Sequence, residues 1–320
     1  MESRDTAQDV NRLTFDIDWP PGTVACYLID GPEPVLVDAA TPDHGTAFEE
    51  RLAAHDLAPA DVDHVLVTHP HVDHIGQVPT VLDGGEPTVY APAGVSERFA
   101  RDPSELAARV RRNATAAGFP EEQREMAVDM AVESLERNSD LLRPDAVDVW
   151  IEPGGTTAVG HLEVDAVHVP GHQADHLAYP VEFGGESALF AGDMALEPLR
   201  SVSLHDGLDD GHREAVDAFY AALDRLAGLD VDRVYPGHGP VHRDLQGVVR
   251  RDRESLDARI DGVRRLVADG RKTAAEVAFA LAGDRDVEYI VPEAMAALAH
   301  LEATGAVSVE LVDGVRRYDA

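Results

Sequence analysis

Short apolar runs rich in β-branched residues alternate with helix-like stretches along the first two thirds of the chain. TVACYLI (23–29) and PVLVDA (34–39), joined through Gly31-Pro32, predict two strands. A helical stretch over 43–54 leads to a strand at VDHVLVT (62–68). After His74 a second helical stretch runs to Asp83-Gly84-Gly85, and TVYA (88–91) is again a strand pattern. This alternation predicts a layered α/β domain. Strands return at VDVWIE (147–152), TTAVGHLEVDAVHV (156–169) and ALFAG (188–192), and a helix at 213–227 precedes DRVYPG (232–237).

Two segments depart from that rhythm. Over 93–142, Ser104 is placed to cap one helix and Pro120-Glu121-Glu122 to open another. Leu106 and Val110, then Met126, Met130 and Leu135, recur at helical spacing. Such an insertion either packs its helices onto the domain or covers a cleft as a lid. Beyond residue 250 the order is helix (243–268), helix (273–281), helix (292–305) and two short strands about Asp313-Gly314, a hairpin-turn dipeptide. That order is the layout of a winged helix. The chain therefore divides into 1–245 and a smaller unit at 250–320.

Charge changes the picture of habitat and partners. The chain has 60 acidic and 27 basic residues, a formal charge of −33, and Lys272 is its sole lysine. Such an excess repels itself in dilute buffer, whereas at molar salt the Debye length is only ~3 Å. The acids are spread over the whole chain, which reads as adaptation to a salt-rich cytoplasm. Nucleic-acid binding normally needs basic patches, so it is disfavoured. No run approaches ~18 apolar residues, and the N-terminus lacks the basic-then-apolar layout of a signal peptide, so a cytoplasmic protein is expected. Cys26 stands alone, which excludes an internal disulfide and a cysteine-cluster metal site.

The decisive chemistry lies in THPHVDHIGQ (68–77), directly after a strand. Side chains two apart on an extended exit share a face, so His69 and His71 point the same way. Asp73 and His74 fall where the chain turns into the next helix. The string offers two nitrogens to one metal, and an oxygen and a nitrogen to a neighbour. Further donors follow strands by one rule: His172 after AVHVPG, Asp193 after ALFAG and His238 after RVYPG, each preceded by glycine. This pattern projects side chains from one sheet edge into a shared cleft.

Through THPHVDH (68–74), PGHQADH (170–176), FAGD (190–193) and YPGHG (235–239), in that order, the chain resembles the metallo-β-lactamase superfamily over roughly 10–245. The resemblance implies an αββα four-layer sandwich. It also implies that His69, His71 and His172 hold one metal, that Asp73, His74 and His238 hold a second, and that Asp193 bridges them. Asp38 in LVDAA matches an aspartate that supports the ligand loop, and His176 a position behind the ligands. Asp193 stands where antibiotic-degrading members with a cysteine ligand carry that cysteine. His71 stands where flavodiiron members carry glutamate, which disfavours redox chemistry. Only 45 residues separate Asp193 from His238, too few for the large domain inserted in one nucleic-acid-processing branch. Gln77 replaces a usual glycine, and the insertion at 93–142 is longer than in compact thioesterase members.

Imidazole and carboxylate donors without thiolate suit two Zn²⁺, with Mn²⁺ or Fe²⁺ as alternatives. Ions ~3.5–4 Å apart lower the pKa of a shared water from about 15.7 toward ~7 and deliver hydroxide at neutral pH. Asp73 and Asp193 are the candidate catalytic carboxylates, Asp193 guiding the proton toward the leaving group. The expected function is hydrolysis of a small ester-like molecule, thioester ahead of lactone, with Met126 and Met130 lining an acyl pocket if they face inward. HLEATGAV (300–307) resembles the lactamase-β-like subgroup, which implies a single-strand endoribonuclease as the alternative. A third reading is a DNA-binding regulator with a vestigial metal site, against which the intact donor set speaks. The C-terminal unit is expected to wall the cleft or to form a homodimer contact.

Overall fold

The structure is a computed structural model and describes residues 10–183, 185–283 and 289–320. One sheet holds β1 (Val10–Asp16), β2 (Thr23–Ile29), β3 (Val35–Val37), β4 (His64–Leu66), β5 (Thr88–Pro92) and β6 (Val149–Ile151), in that spatial order. β1 to β3 pair antiparallel and β3 to β6 parallel. Parallel neighbours need crossovers. These are α1 (Gly45–Ala53), then α2 (Val72–Ile75) with α3 (Val78–Gly84), then the three helices α4 (Gly94–Phe99), α5 (Pro103–Ala117) and α6 (Glu121–Leu141).

The second sheet follows with β7 (Thr156–Val159), β8 (Leu162–Asp165), β9 (Val167–His168), β10 (Leu177–Phe183), β11 (Glu186–Gly192) and β12 (Arg233–Pro236). Its order is β12-β11-β10-β8-β7, with β9 pairing β10. α7 (Ala215–Ala227) carries the chain from β11 to the parallel β12. The chain ends with α8 (Leu245–Ala268), α9 (Ala274–Ala282), α10 (Ile290–Ala303) and the hairpin β13 (Ser308–Val312) and β14 (Val315–Asp319).

The two-residue period of the strands sorts their side chains between cores. In β2, Val24, Cys26 and Leu28 join a cluster with Phe48 and Leu52 of α1 and Val78 and Val81 of α3. The alternate residues Ala25, Tyr27 and Ile29 meet Tyr179 and Phe190 of the second sheet. In β11 the same split sends Phe190 to the other sheet and Leu189 toward Phe219 and Leu223 of α7. Both sheets are therefore buried on two faces, which is why β2 and β11 read as continuous apolar runs.

Two strands escape the periodicity reading. β1 is diluted by Asn11, Arg12 and Thr14, and only Leu13 and Phe15 are deeply buried. β10 contains Pro180 opposite Leu189, a residue that argues against a central strand. Ser104 is not the cap of α5. Asp102 is, its carboxylate accepting from the Ser104 and Glu105 amides at 2.8 and 3.2 Å, with Pro103 in the first turn.

Met126 and Met130 also depart from expectation: they are 56% and 37% exposed. The face of α6 that packs carries Val128, Ala131, Val132 and Leu135, against Leu106 and Val110 of α5. The methionines share a helix face, but it points to solvent and lines no acyl pocket. The far end of α5 packs instead on the C-terminal helices, where Ala114, Ala117 and Phe119 meet Val263, Val277, Met295 and Leu298. The insertion thus packs down at both ends. The C-terminal hairpin turns at Asp313-Gly314, both at positive φ, as that dipeptide favours. Among the described residues, no helix is long and apolar enough to cross a membrane.

Candidate metal centre

The site lies where both sheets end. His69, His71, Asp73 and His74 occupy the exit of β4 and the short α2, while His172, Asp193 and His238 follow β9, β11 and β12. The structure brings all seven together in two groups. His69, His71, His172 and Asp193 form one, and Asp73, His74 and His238 the other. Within each group, one donor atom per residue lies within 4.8 Å of the rest.

In the first group, Nε2 of His69 and Nε2 of His172 each stand 3.0 Å from Nδ1 of His71. The far nitrogens explain what those atoms carry. His172 Nδ1 lies 2.9 Å from the Val202 carbonyl, which only accepts, so the proton is on Nδ1 and Nε2 bears a lone pair. Thr68 Oγ1 donates to Asp38 and so accepts from His69 Nδ1 at 3.0 Å, leaving His69 Nε2 a lone pair as well. Asp193 Oδ2 stands 3.2 Å from His172 Nε2. The facing atoms are nearly all acceptors.

The second group repeats this arrangement. His238 donates from Nδ1 to the Thr23 carbonyl at 2.6 Å, and His74 from Nδ1 to Asp38 Oδ2 at 2.8 Å. Their Nε2 atoms face Asp193 Oδ1 at 3.3 and 3.1 Å, and His238 Nε2 also faces Asp73 Oδ2 at 3.4 Å. His74 Nε2 and Asp193 Oδ1 are buried with no hydrogen-bond partner. Converging buried lone pairs are costly unless a cation sits among them. The donor set of nitrogen and carboxylate oxygen fits two divalent ions, and Asp193 presents one oxygen to each group.

The electrostatics of the two groups differs. Burial, with the neighbouring imidazoles, holds His69 well below its ordinary range and His71 down at about 3, so both are neutral, as metal ligands must be. Burial works against charge on His74 and His238 too, but Asp193, Asp73 and, for His74, Asp38 outweigh it. His238 is pushed up to about 10 and His74 well above its usual value. Their imidazoles in turn overcome the burial of Asp73 and Asp193, holding Asp73 at about 2 and Asp193 well below the carboxylate range. The carboxylates favour a positive charge in the second group, which a bound cation would supply in place of protons on the two rings.

The glycines before Asp193 and His238 are required by close approach. A Cβ on Gly192 would lie 2.6 Å from His176 Nε2, and one on Gly237 would lie 2.5 Å from His74 Cε1. Behind the site, Asp38 sits at φ +58 and accepts from the Thr68 amide at 2.8 Å, tying its turn to the histidine string. His176 lies behind Asp193, accepting its amide at 3.0 Å, while burial keeps the ring neutral. Gln77 lies outside the site and donates to the Thr41 and Pro42 carbonyls at 2.6 and 2.9 Å. Sequence reasoning passed over Asn138 of α6, which donates to the Pro70 carbonyl at 2.9 Å and so pins the string from the insertion. It also passed over the carbonyls of Thr23 and Val202.

Comparison with known proteins follows the same lines. The family model described as the metallo-beta-lactamase superfamily matches residues 19–238. Probable metallo-hydrolase YqjP of Bacillus subtilis is 23% identical over 95% of both chains. The atrochrysone carboxyl ACP thioesterase dmxR1 of a Cryptosporiopsis species is 28% identical over 55% of this chain. The chain spans about half the length of such fungal relatives, 56% of dmxR1 and 49% of the lactamase-like protein aptB of Emericella nidulans. Among solved structures, the metallo-beta-lactamase family protein TTHA1429 from Thermus thermophilus aligns with a TM-score of 0.79 and 28% identity, covering 97% of this chain and 98% of that one. With the family model matching residues 19–238, the chain belongs to the metallo-beta-lactamase superfamily, and its structure gathers two groups of residues able to hold metal.

Proposed function

We propose that His69, His71, His172 and Asp193 hold one Zn²⁺, that Asp73, His74 and His238 hold a second with the other oxygen of Asp193, and that the protein hydrolyses a small thioester. The observation that carries this reading is Asp193, whose two oxygens face two separate groups of lone pairs. Mixed imidazole and carboxylate donors without thiolate support zinc. When bound, the ions supply an activated water at neutral pH and positive charge for the developing oxyanion.

The chain's own residues do the holding. Val202, Thr23, Thr68 and Asp38 fix four imidazoles in the tautomer that turns a lone pair inward. Asp38 and Thr68, which touch these groups, are already committed to hydrogen bonds. No spare acid among them stands ready to protonate a poor leaving group. A thiolate, whose conjugate acid has a pKa of about 8.5, leaves without that help. The name of the relative dmxR1 points to the same chemistry.

The clusters between the first sheet and α1 and α3, between the two sheets, and between the second sheet and α7 support the αββα sandwich, and the three helices with their hairpin support a winged-helix-like unit over 250–320 following the catalytic domain of 1–245. The dispersed charge supports a salt-rich cytoplasm. Raising KCl from 0.1 to about 2 M is expected to raise the melting temperature, because screening relieves repulsion among the acids. A fall would overturn the salt reading.

The test of activity is thiol release from a panel of acyl thioesters in molar KCl with Zn²⁺, alongside a lactone and a single-stranded RNA. Turnover of a thioester above the other two is expected. Zinc-loaded protein that opens only the lactone or cuts only the RNA would overturn the substrate assignment.

A further inference from the structure

The C-terminal helices reach the metal centre through one buried carboxylate. Glu293 lies in the first turn of α10 and is 5% exposed. It accepts from Arg200 Nη2 at 2.6 Å and from the Ser203 amide at 3.2 Å, while its second oxygen pairs with Arg259 Nε of α8 at 3.1 Å. Arg200 is itself buried and clamped. It donates to Ser255 Oγ of α8 at 3.2 Å and to the Ser201 carbonyl at 2.7 Å, and its guanidinium lies over Phe219 of α7.

The segment held in this way is the one that touches His172. Ser201 Oγ and the Val202 carbonyl lie 2.8 and 2.9 Å from His172 Nδ1. Among the described residues, the loop has no strand partner beyond a single bridge at its far end, between His205 and Gln173. Ser201–Ser203 is held by the Arg200–Glu293 contacts and by Ser203 Oγ, which donates to the Gly171 carbonyl at the longer distance of 3.4 Å. Buried ion pairs seldom add net stability, but removing one member leaves a charge uncompensated and its neighbours free to move.

We propose that Glu293 is a positioning residue for the metal centre: through Arg200 and the Ser203 amide it fixes the loop whose Ser201 and Val202 orient His172. This gives the C-terminal segment a role in metal affinity in addition to its packing. The inference rests on the assignment of His172 to the first ion. Partners behind a histidine ligand typically set metal affinity by about 10–100-fold.

The experiment is zinc titration against a chromophoric chelator, on wild type, Glu293→Ala, Glu293→Gln and His172→Ala. Expected is a loss of about 10–100-fold in one of the two zinc constants for Glu293→Ala, the same constant that His172→Ala removes, with the other unchanged. Glu293→Gln, which keeps an acceptor for the Ser203 amide, is expected to recover part of that loss. It also serves as the test should the alanine variant fail to fold, an intermediate loss at the same site then being the supporting result. Wild-type zinc constants in both folded Glu293 variants would overturn the inference, as would an equal fall at both sites. If His172→Ala leaves zinc binding untouched, the ligand assignment itself fails, which is a different outcome.

Discussion

Asp193→Ala is expected to lower hydrolysis by about a thousandfold or more, the scale on which losing a preorganised electrostatic contact acts. The variant removes one oxygen facing His172 and another facing His74 and His238, so both groups lose a donor at once. Metal content and turnover should fall together, read by elemental analysis of the dialysed protein and by thiol release. The backbone has no reason to collapse, since the residue 193 amide still donates to His176. Asp193→Asn keeps the shape and drops the charge, and is expected to fall between alanine and wild type. Two tightly held ions per chain in the alanine variant would show that Asp193 is no bridge.

Gly237→Ala is expected to cost about a hundredfold in activity although it alters no donor atom. Its new methyl would lie 2.5 Å from His74 Cε1, 2.7 Å from Asp193 Oδ1 and 3.2 Å from the Gly192 carbonyl. Contacts that short force the ring, the carboxylate or the β12 exit to shift by a fraction of an ångström or more. A displacement near 1 Å at reacting groups can cost about 10²-fold. Gly45→Ala is the control, since its Cβ meets only Gln77 Oε1 at 3.7 Å and its φ is ordinary. Equal activity in the two variants would show that the site tolerates the methyl.

These glycines also mark how far the sequence can be read. The rule of strand, glycine and donor side chain was visible in the order of residues because the backbone packs there too tightly for any Cβ. The histidine string was visible because four donor residues fall within six positions. The support behind them was harder to see. A carbonyl such as Val202 or Thr23 exists at every position and leaves no mark in the sequence, so the atoms that set the histidine tautomers were invisible. Asn138 sits 68 positions from the Pro70 carbonyl it pins, and only the path of α6 joins them. The error at Met126 and Met130 has another origin. Helical spacing identifies residues that share a face but not which face is covered, and on α6 Val128 and Ala131 take the covered one. In β10, Pro180 hid a central strand because a missing amide reads as a break.

Each group of donors straddles the two sheets. His69 and His71 come from one and His172 and Asp193 from the other, while Asp73 and His74 are met by His238. An ion gripped there would act as a rivet through two plates, joining halves of the chain that are synthesised one after the other. Neither half carries a complete set of rivet holes, so a nascent chain that has not yet reached β12 has no finished second site to fill. Filling of the second group would thus wait until β12 is in place. An ion bound there would report that both plates have met in register, a built-in inspection of the folded chain.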